Sequence, residues 1–221
     1  KLKKNSVPTK AIEYSIPEWL AETLEKELGS SWEREMVALN EQAPTILRVN
    51  TLKTTPRELI SDLKVEGVES FPIKNYPDAI QLEMKKNVFL TTAFKDGLFE
   101  VQDASSQKIG ELLDVKEGMG VVDACAGAGG KTLHLAALMK NKGQIIALDI
   151  YEWKLAELKR RAKRAGAHNI ETRVIEDNKV IKRLHEKADR LLIDSPCSGL
   201  GVLKRNPDSK WKIDQDFIDR I

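Results

Sequence analysis

The feature that most constrains this chain is the strict alternation that begins near residue 101. Helical segments ("DASSQKIGELLDV", "KTLHLAALMKN", "YEWKLAELKRRAKRAG", "NKVIKRLHEK") take turns with apolar runs ("GMGVVDAC", "GQIIALDI", "IETRVIED", "ADRLLIDSP"). Short runs rich in Val, Ile and Leu between helices are the signature of strands covered on both faces. They predict an α/β fold with a doubly wound parallel sheet. Such sheets bind ligands beyond the carboxyl ends of their strands, near the point where strand order reverses.

The first hundred residues follow a different grammar. "IPEWLAETLEKEL" begins with Pro17 and stops at Gly29, and "SSWEREMVALNEQ" reads as a second helix capped by Ser30 or Ser31. "APTILRVNTLK" carries a strand, "TTPRELISDLKVEG" a Thr-capped helix, and "AIQLEM" and "LFEVQ" two more strands. The expectation is a small α+β domain over 1–97, compatible with RNA binding, followed by the parallel-sheet domain over 98–221.

Composition removes several function classes. Thirty-six Lys plus Arg against thirty-four Asp plus Glu leave a net charge of +2, so any polyanion site must be a local patch. Two cysteines, Cys125 and Cys197, with three histidines argue against a disulfide scaffold and against a zinc site, and no metal is expected. No apolar run reaches the roughly 18 residues of a membrane span, and the opening "KLKKNSVPTK" lacks the apolar core of a secretory leader. The expected setting is cytoplasmic, with no membrane partner.

The first strand of the alternating part leaves through Asp123 into "ACAGAGGKT", which turns on Gly127, Gly129 and Gly130 and enters a helix at Lys131 or Thr132. Glycines let backbone approach a ligand, and the helix start offers N–H groups to an anion. A nucleoside triphosphate loop needs glycine where Cys125 stands, and a dinucleotide fingerprint needs it where Thr132 stands. A nucleoside cofactor with an acidic partner downstream remains. Asp149 ends the next strand, about 20 residues on, where a ribose diol is usually held. S-adenosylmethionine fits this pattern, its carboxylate on the loop and its ribose on Asp149, with Asp177 after "TRVIE" near the adenine. Plain structural roles stand beside each assignment: turn glycines, and helix caps at Asp149 and Asp177.

The fourth apolar run ends in "DSPC", which predicts Asp194 and Cys197 at the same sheet edge. Carbon 5 of cytosine is a poor nucleophile until a thiolate adds to carbon 6, so a thiol beside a methyl donor is chemically motivated. Asp194 would hydrogen-bond the exocyclic amine and ring nitrogen of the base. The plain alternative is a buried small Cys197 and a loop-capping Asp194.

"DACAGAGGKT", "ALDI" and "DSPCSGLGVLKRNPDSKW", in this order, resemble the cofactor and catalytic motifs of the NOL/NOP/Sun family of RNA 5-methylcytosine methyltransferases. "IPEWL", "LRVNTLK" and "FEVQDASSQ" resemble that family's upstream signatures, so the likeness covers nearly the whole chain. One departure is Gly127-Ala128 where the family commonly has a proline before its glycine pair. The resemblance implies a Rossmann-like methyltransferase sheet, S-adenosylmethionine as cofactor and RNA, above all ribosomal RNA, as partner. It implies cofactor contacts from Cys125, Ala126, Gly127, Gly129, Gly130, Lys131, Asp149, Asp177 and Asp194, and catalytic roles for Asp194 and Cys197. It also implies that the attacking thiolate comes from a second cysteine in a later Thr-Cys motif, while Cys197 helps release the product. The sequence ends at Ile221, before such a motif and before the strands that complete the family's sheet, so the expectation is a truncated sheet. A scaffold that binds RNA without turnover is the rival reading; a small-molecule methyltransferase is a third.

Two basic clusters are candidate RNA contacts. "LKRNPDSKWK" offers Lys204, Arg205 and Lys210 beside Trp211, a stacking surface for a base. Lys154, Lys159, Arg160, Arg161, Lys163 and Arg164 crowd one helix, where a solvated face is the expected role. The enzyme is expected to act as a monomer.

Overall fold

Three helices open the chain: α1 (Lys10–Glu13), α2 (Glu18–Leu28) and α3 (Trp32–Asn40). Helical spacing puts Leu20, Trp32 and Met36 on inward faces, where they bury with Ile16 and with Leu203 from the far end of the chain. These segments form one unit, the stretch up to Ala43 together with Pro196 onward; Pro44–Ser195 form the other. A computed structural model describes residues 9–220, so most of the opening read above as lacking a leader lies outside the described residues. The cap expected from Ser30 or Ser31 does not form. A 3₁₀ turn at Gly29–Ser31 joins α2 to α3, and the Ser31 hydroxyl instead donates to the Leu28 carbonyl at 2.8 Å.

The second unit begins with β1 (Ile46–Val49), α4 (Pro56–Val65), β2 (Ser70–Ile73), β3 (Tyr76–Leu82), α5 (Thr92–Lys95) and β4 (Phe99–Val101). The strands form an antiparallel sheet in the order β2-β3-β1-β4. α4 starts on a capping box: the Thr55 side chain accepts from the Glu58 N–H, Glu58 accepts from the Thr55 N–H, and Pro56 occupies the first turn. Its Leu59 and Leu63 bury against Leu47, Ile80 and Phe99 of the sheet. The sequence pattern gives no sign of β2 or α5. β2 contains Pro72, which an edge strand tolerates because one side of it needs no ladder donor.

The alternating part supplies α6 (Ala104–Leu112), β5 (Gly120–Asp123), α7 (Gly130–Leu138), β6 (Gln144–Asp149), α8 (Glu152–Ala165), β7 (Ile170–Val174), α9 (Asn178–Lys182) and β8 (Arg190–Leu192). All four strands run parallel, in the order β7-β6-β5-β8. Strand order therefore reverses at β5, and the crevice of such a sheet opens beyond its carboxyl end. Val121, Ile145 and Ala147 meet Leu135, Met139, Leu155 and Leu158 of the covering helices in the core. α9 and β8 are shorter than expected: α9 stops at Lys182, and β8 ends two residues before Asp194.

The expected boundary at 97/98 cuts through the antiparallel sheet, since β4 pairs with β1. Polar groups clasp the two sheets, the buried Asn50 and the exposed Lys53. Asn50 donates from its amide to the carbonyls of Gly97 (2.7 Å) and Ala165 (2.8 Å), and Lys53 to those of Asp96 (2.7 Å) and Arg164 (2.8 Å). The last carbonyls of α8 thus gain donors from the antiparallel sheet's connections. Gly97 has φ 72°, and a Cβ there would sit 2.1 Å from the Arg164 carbonyl oxygen, so only glycine permits this approach. Back in the first unit, α10 (Gln215–Asp219) is capped by Asp214, whose side chain accepts from the Phe217 N–H at 2.8 Å. Among the described residues, no helix is long and apolar enough to cross a membrane.

Candidate active site

β5 delivers Asp123 to the switch point, and the loop that follows is held from outside. Ala126 N–H donates to the Leu148 carbonyl (2.8 Å), and Gly127 N–H to Asp149 Oδ2 (2.9 Å). Gly129 takes φ 87°, and a Cβ there would meet Leu158 Cγ at 2.5 Å, so the loop lies directly on α8. Two arginines take its carbonyls: Arg161 donates to Ala128 O at 2.7 Å, and Arg48 donates to Gly130 O. With these two carbonyls engaged, the amides that open α7 remain as donors, because the first turn of a helix has no internal acceptor for them. That is the polarity an anionic group requires.

Arg48 is a residue that sequence reasoning does not find. It is 3% exposed, stands opposite Glu100 in the β1/β4 register, and donates also to Gln102. Burial is the main cause that lowers its guanidinium to about 10, with Glu100 pulling the other way, and it stays charged at neutral pH. Glu100 is 5% exposed and accepts from Arg161 (2.9 Å) and from Arg164. The available signal was a charge at a fully buried position of a strand, "ILRV" and "FEV".

A cavity of about 260 Å³ lies at the end of β5, with Asp123, Cys125, Ala126, Gly130, Lys131 and Asp194 in its wall. Asp123 is 1% exposed. Its Oδ2 accepts from the buried Thr132 hydroxyl at 2.7 Å, while Oδ1 is buried without a partner among the described residues. Burial pushes the carboxyl up to about 6, against the lowering pull of Thr132. Burial, and then the carboxylates of Asp123, Asp149 and Asp194, also raise the Cys125 thiol, so it is held neutral and belongs to the wall. Lys131 and Asp194 form an ion pair across the opening.

Asp149 is not the cap of α8, whose N-cap is Tyr151; it accepts two backbone N–H groups instead. One oxygen holds the loop through Gly127, and the other accepts from the Tyr151 N–H (2.9 Å) at the start of α8. Each oxygen keeps accepting capacity for a ligand hydroxyl. Asp177 follows β7 and caps α9 through the Lys179 N–H at 2.7 Å. Cys197 lies in the first unit and is exposed.

The basic clusters divide. In the first unit, Lys204 pairs with Glu41 at 3.0 Å and Trp211 is 59% exposed, but Lys210 is buried and reaches Asn40 at 3.4 Å. Burial lowers the Lys210 ammonium, so Lys210 is corrected from a surface RNA contact to an interior donor. On α8, Lys159, Arg160 and Lys163 are exposed as expected, whereas Arg161 and Arg164 turn inward onto Glu100. Among the described residues no cluster of His, Cys, Asp and Glu could hold a metal ion.

The comparisons with known proteins follow this anatomy. A family model for a "Methyltr_RsmF/B-like, ferredoxin-like domain" matches residues 16–89. The chain is 36% identical over 213 residues to the "Probable ribosomal RNA small subunit methyltransferase B" of Bacillus subtilis, covering 96% of this chain and 47% of that protein. The crystal structure of PH0851 superimposes with a TM-score of 0.91 at 33% identity, covering 100% of this chain and 51% of that one. NSun6 from Pyrococcus horikoshii, solved with SFG, shares the fold at 22% identity and a TM-score of 0.83, over 92% of this chain and 76% of its own. The chain thus spans about half the length of the curated relatives it matches. The model described as "16S rRNA methyltransferase RsmB/F" matches residues 111–221, half of the chain, and the chain belongs to that family, in keeping with the NOL/NOP/Sun resemblance of its motifs.

Proposed function

We propose that this protein takes part in S-adenosylmethionine-dependent methylation of carbon 5 of a cytosine in RNA, with ribosomal RNA as substrate, as a cytoplasmic monomer. The observation that carries this reading is the cavity at the switch point, where the loop's carbonyls are held away by Arg48 and Arg161 while Lys131 and Asp194 face each other at the opening. When bound, the cofactor supplies an electrophilic methyl group carried on sulfur. Cys125, Ala126, Gly127, Gly129, Gly130 and Lys131 receive its amino-acid end, Asp149 its ribose and Asp177 its adenine edge. The partnerless Asp123 Oδ1 and the spare lone pairs of Asp149 support the fit, because both offer acceptors to the ammonium and hydroxyl donors of such a molecule.

Lys131 orients Asp194, so that its carboxylate accepts from the exocyclic amine of the base. Cys197 takes the product-release role that the family resemblance implies, and Lys204, Arg205 and Trp211 contact RNA. The target base must be unstacked for carbons 5 and 6 to be reached from both faces. The relatives named as small-subunit rRNA methyltransferase B support ribosomal RNA as the class of substrate.

Isothermal titration of the full chain with S-adenosylmethionine tests the site, and transfer of a labelled methyl group to small-subunit ribosomal RNA tests the reaction. Binding that Asp149→Ala weakens by at least about tenfold, from the loss of a charged hydrogen-bond acceptor, is the expected result. Absence of binding, or a methyl group recovered anywhere other than cytosine carbon 5, overturns the reading.

A further inference from the structure

Phe89, in the connection between β3 and α5, is 54% exposed. It stands between two hollows of about 650 and 480 Å³. Arg160, Arg161 and Arg164 line the larger one, against Glu100 and Glu157, and Ala128 of the glycine loop forms part of its wall. Lys85 and Lys86 line the smaller one. Val101 borders both of these and the cavity at β5 as well, and Arg161 borders the larger hollow and the β5 cavity. The three hollows are therefore neighbours, with Val101 common to all of them, the glycine loop at one end of the series and Lys85 and Lys86 at the other.

This series of hollows presents that ring. Phe94 meets Phe89 edge-on, with centroids 5.0 Å apart at 82°, and the Arg164 guanidinium lies 3.9 Å from the Phe94 centroid. Glu100 fixes Arg164 and Arg161, so the support behind Phe89 is rigid. Arg160 differs: its side chain is 79% exposed and its partner is Glu157, an i,i+3 surface pair that exchanges readily for another anion. An exposed ring flanked on both sides by cations, along a series of neighbouring hollows, is the arrangement that binds a single nucleic acid strand.

We propose that this series serves as one track that binds single-stranded RNA next to the target cytosine, with one base stacked on Phe89 and backbone phosphates passing Arg160 on one side and Lys85 and Lys86 on the other. The inference rests on the RNA methyltransferase reading above and adds the path by which the strand reaches the loop.

The test is fluorescence anisotropy of the full chain with a fluorescein-labelled single-stranded RNA oligonucleotide over a salt series, with a titration of S-adenosylmethionine on the same preparations. Phe89→Ala should weaken RNA binding roughly 5- to 100-fold, the range for losing one stacked base, and leave cofactor affinity unchanged. Phe89→Trp should retain RNA affinity, since any broad ring stacks. Arg160→Gln should lower the slope of log affinity against log salt by about one. Wild-type RNA affinity in both Phe89→Ala and Arg160→Gln, with cofactor binding intact, overturns the track alone. Equal weakening by Phe89→Ala and Phe89→Trp, with lowered melting temperatures, makes the ring mere packing and also overturns it. Failure of the unmodified chain to bind the cofactor instead strikes the reading beneath.

Discussion

The two sheets of the larger unit place charge differently. In the parallel sheet, the buried acids stand at the strand ends, where Asp123 closes β5 and Asp149 closes β6, and Asp194 lies two residues after β8; the mid-strand Glu171 of edge strand β7 is only part-buried. In the antiparallel sheet, charge sits mid-strand and buried, Arg48 in β1 opposite Glu100 in β4. The contrast teaches what each position is for. A carboxylate at a strand end faces the crevice beyond the sheet, whereas the buried Arg48 and Glu100 in mid-strand tie the antiparallel sheet to the glycine loop and to α8.

The sharpest way to break that comparison is Arg48→Met. Removing one member of a buried charge network should cost about 3 to 5 kcal/mol, measured by urea unfolding, and release the loop at Gly130. A loss under about 1 kcal/mol, within the range of ordinary surface substitutions and single exposed pairs, would mean the mid-strand charge is ornamental. Next is the glycine pair. Gly129→Ala should cost about 2 to 3 kcal/mol, because its φ is 87° and its Cβ would strike Leu158. Gly130→Ala should be near neutral for stability, since its Cβ meets nothing closer than Gln102 Nε2 at 3.9 Å, yet it should weaken the cofactor by intruding on the cavity wall. Equal stability losses at the two glycines would contradict the separation of a packed side from a ligand side.

Asp123 gives a smaller effect that depends on pH. Its folded value of about 6 stands above the ordinary 3.8, so the folded state holds that proton more tightly than the unfolded one. Its contribution is full below about pH 4 and is lost as pH rises through 6. Asp123→Asn cannot titrate, so the variant should gain about 2 kcal/mol relative to the parent between pH 4 and 7, read from paired melting curves. A constant difference would place the charge in water. The smallest expected loss is about 1 kcal/mol for Asp177→Ala, which removes the cap of α9; a much larger effect on cofactor affinity than on stability would favour its adenine role.

Legibility in the sequence follows the same contrast. The central parallel strands β5 and β6 announce themselves because burial on both faces favours Val, Ile and Leu, and the Gly-rich turn and terminal acids are local signals. The capping box at Thr55 is local too. β2 is not legible, because an edge strand needs neither alternation nor a complete ladder and so admits Pro72. The clasp is the least legible part. Arg48 is matched by Gly130, Asn50 by Ala165 and Lys53 by Arg164, partners more than eighty residues away with no spacing rule to connect them. Lys210 shows the converse: a lysine in a basic run reads as surface, and only packing reveals that the residue is buried.

The donation from Asn50 and Lys53 to the end of α8 bears on how the larger unit melts. The Arg164 and Ala165 carbonyls in the final turn of that helix accept from side chains of the other sheet's connection, and the buried Asn50 amide in turn loses a partner if the helix departs. Heat should therefore take both through a single cooperative transition, with a calorimetric enthalpy equal to the van't Hoff value for 44–195 as a whole, although the chain builds them as two separately recognisable folds.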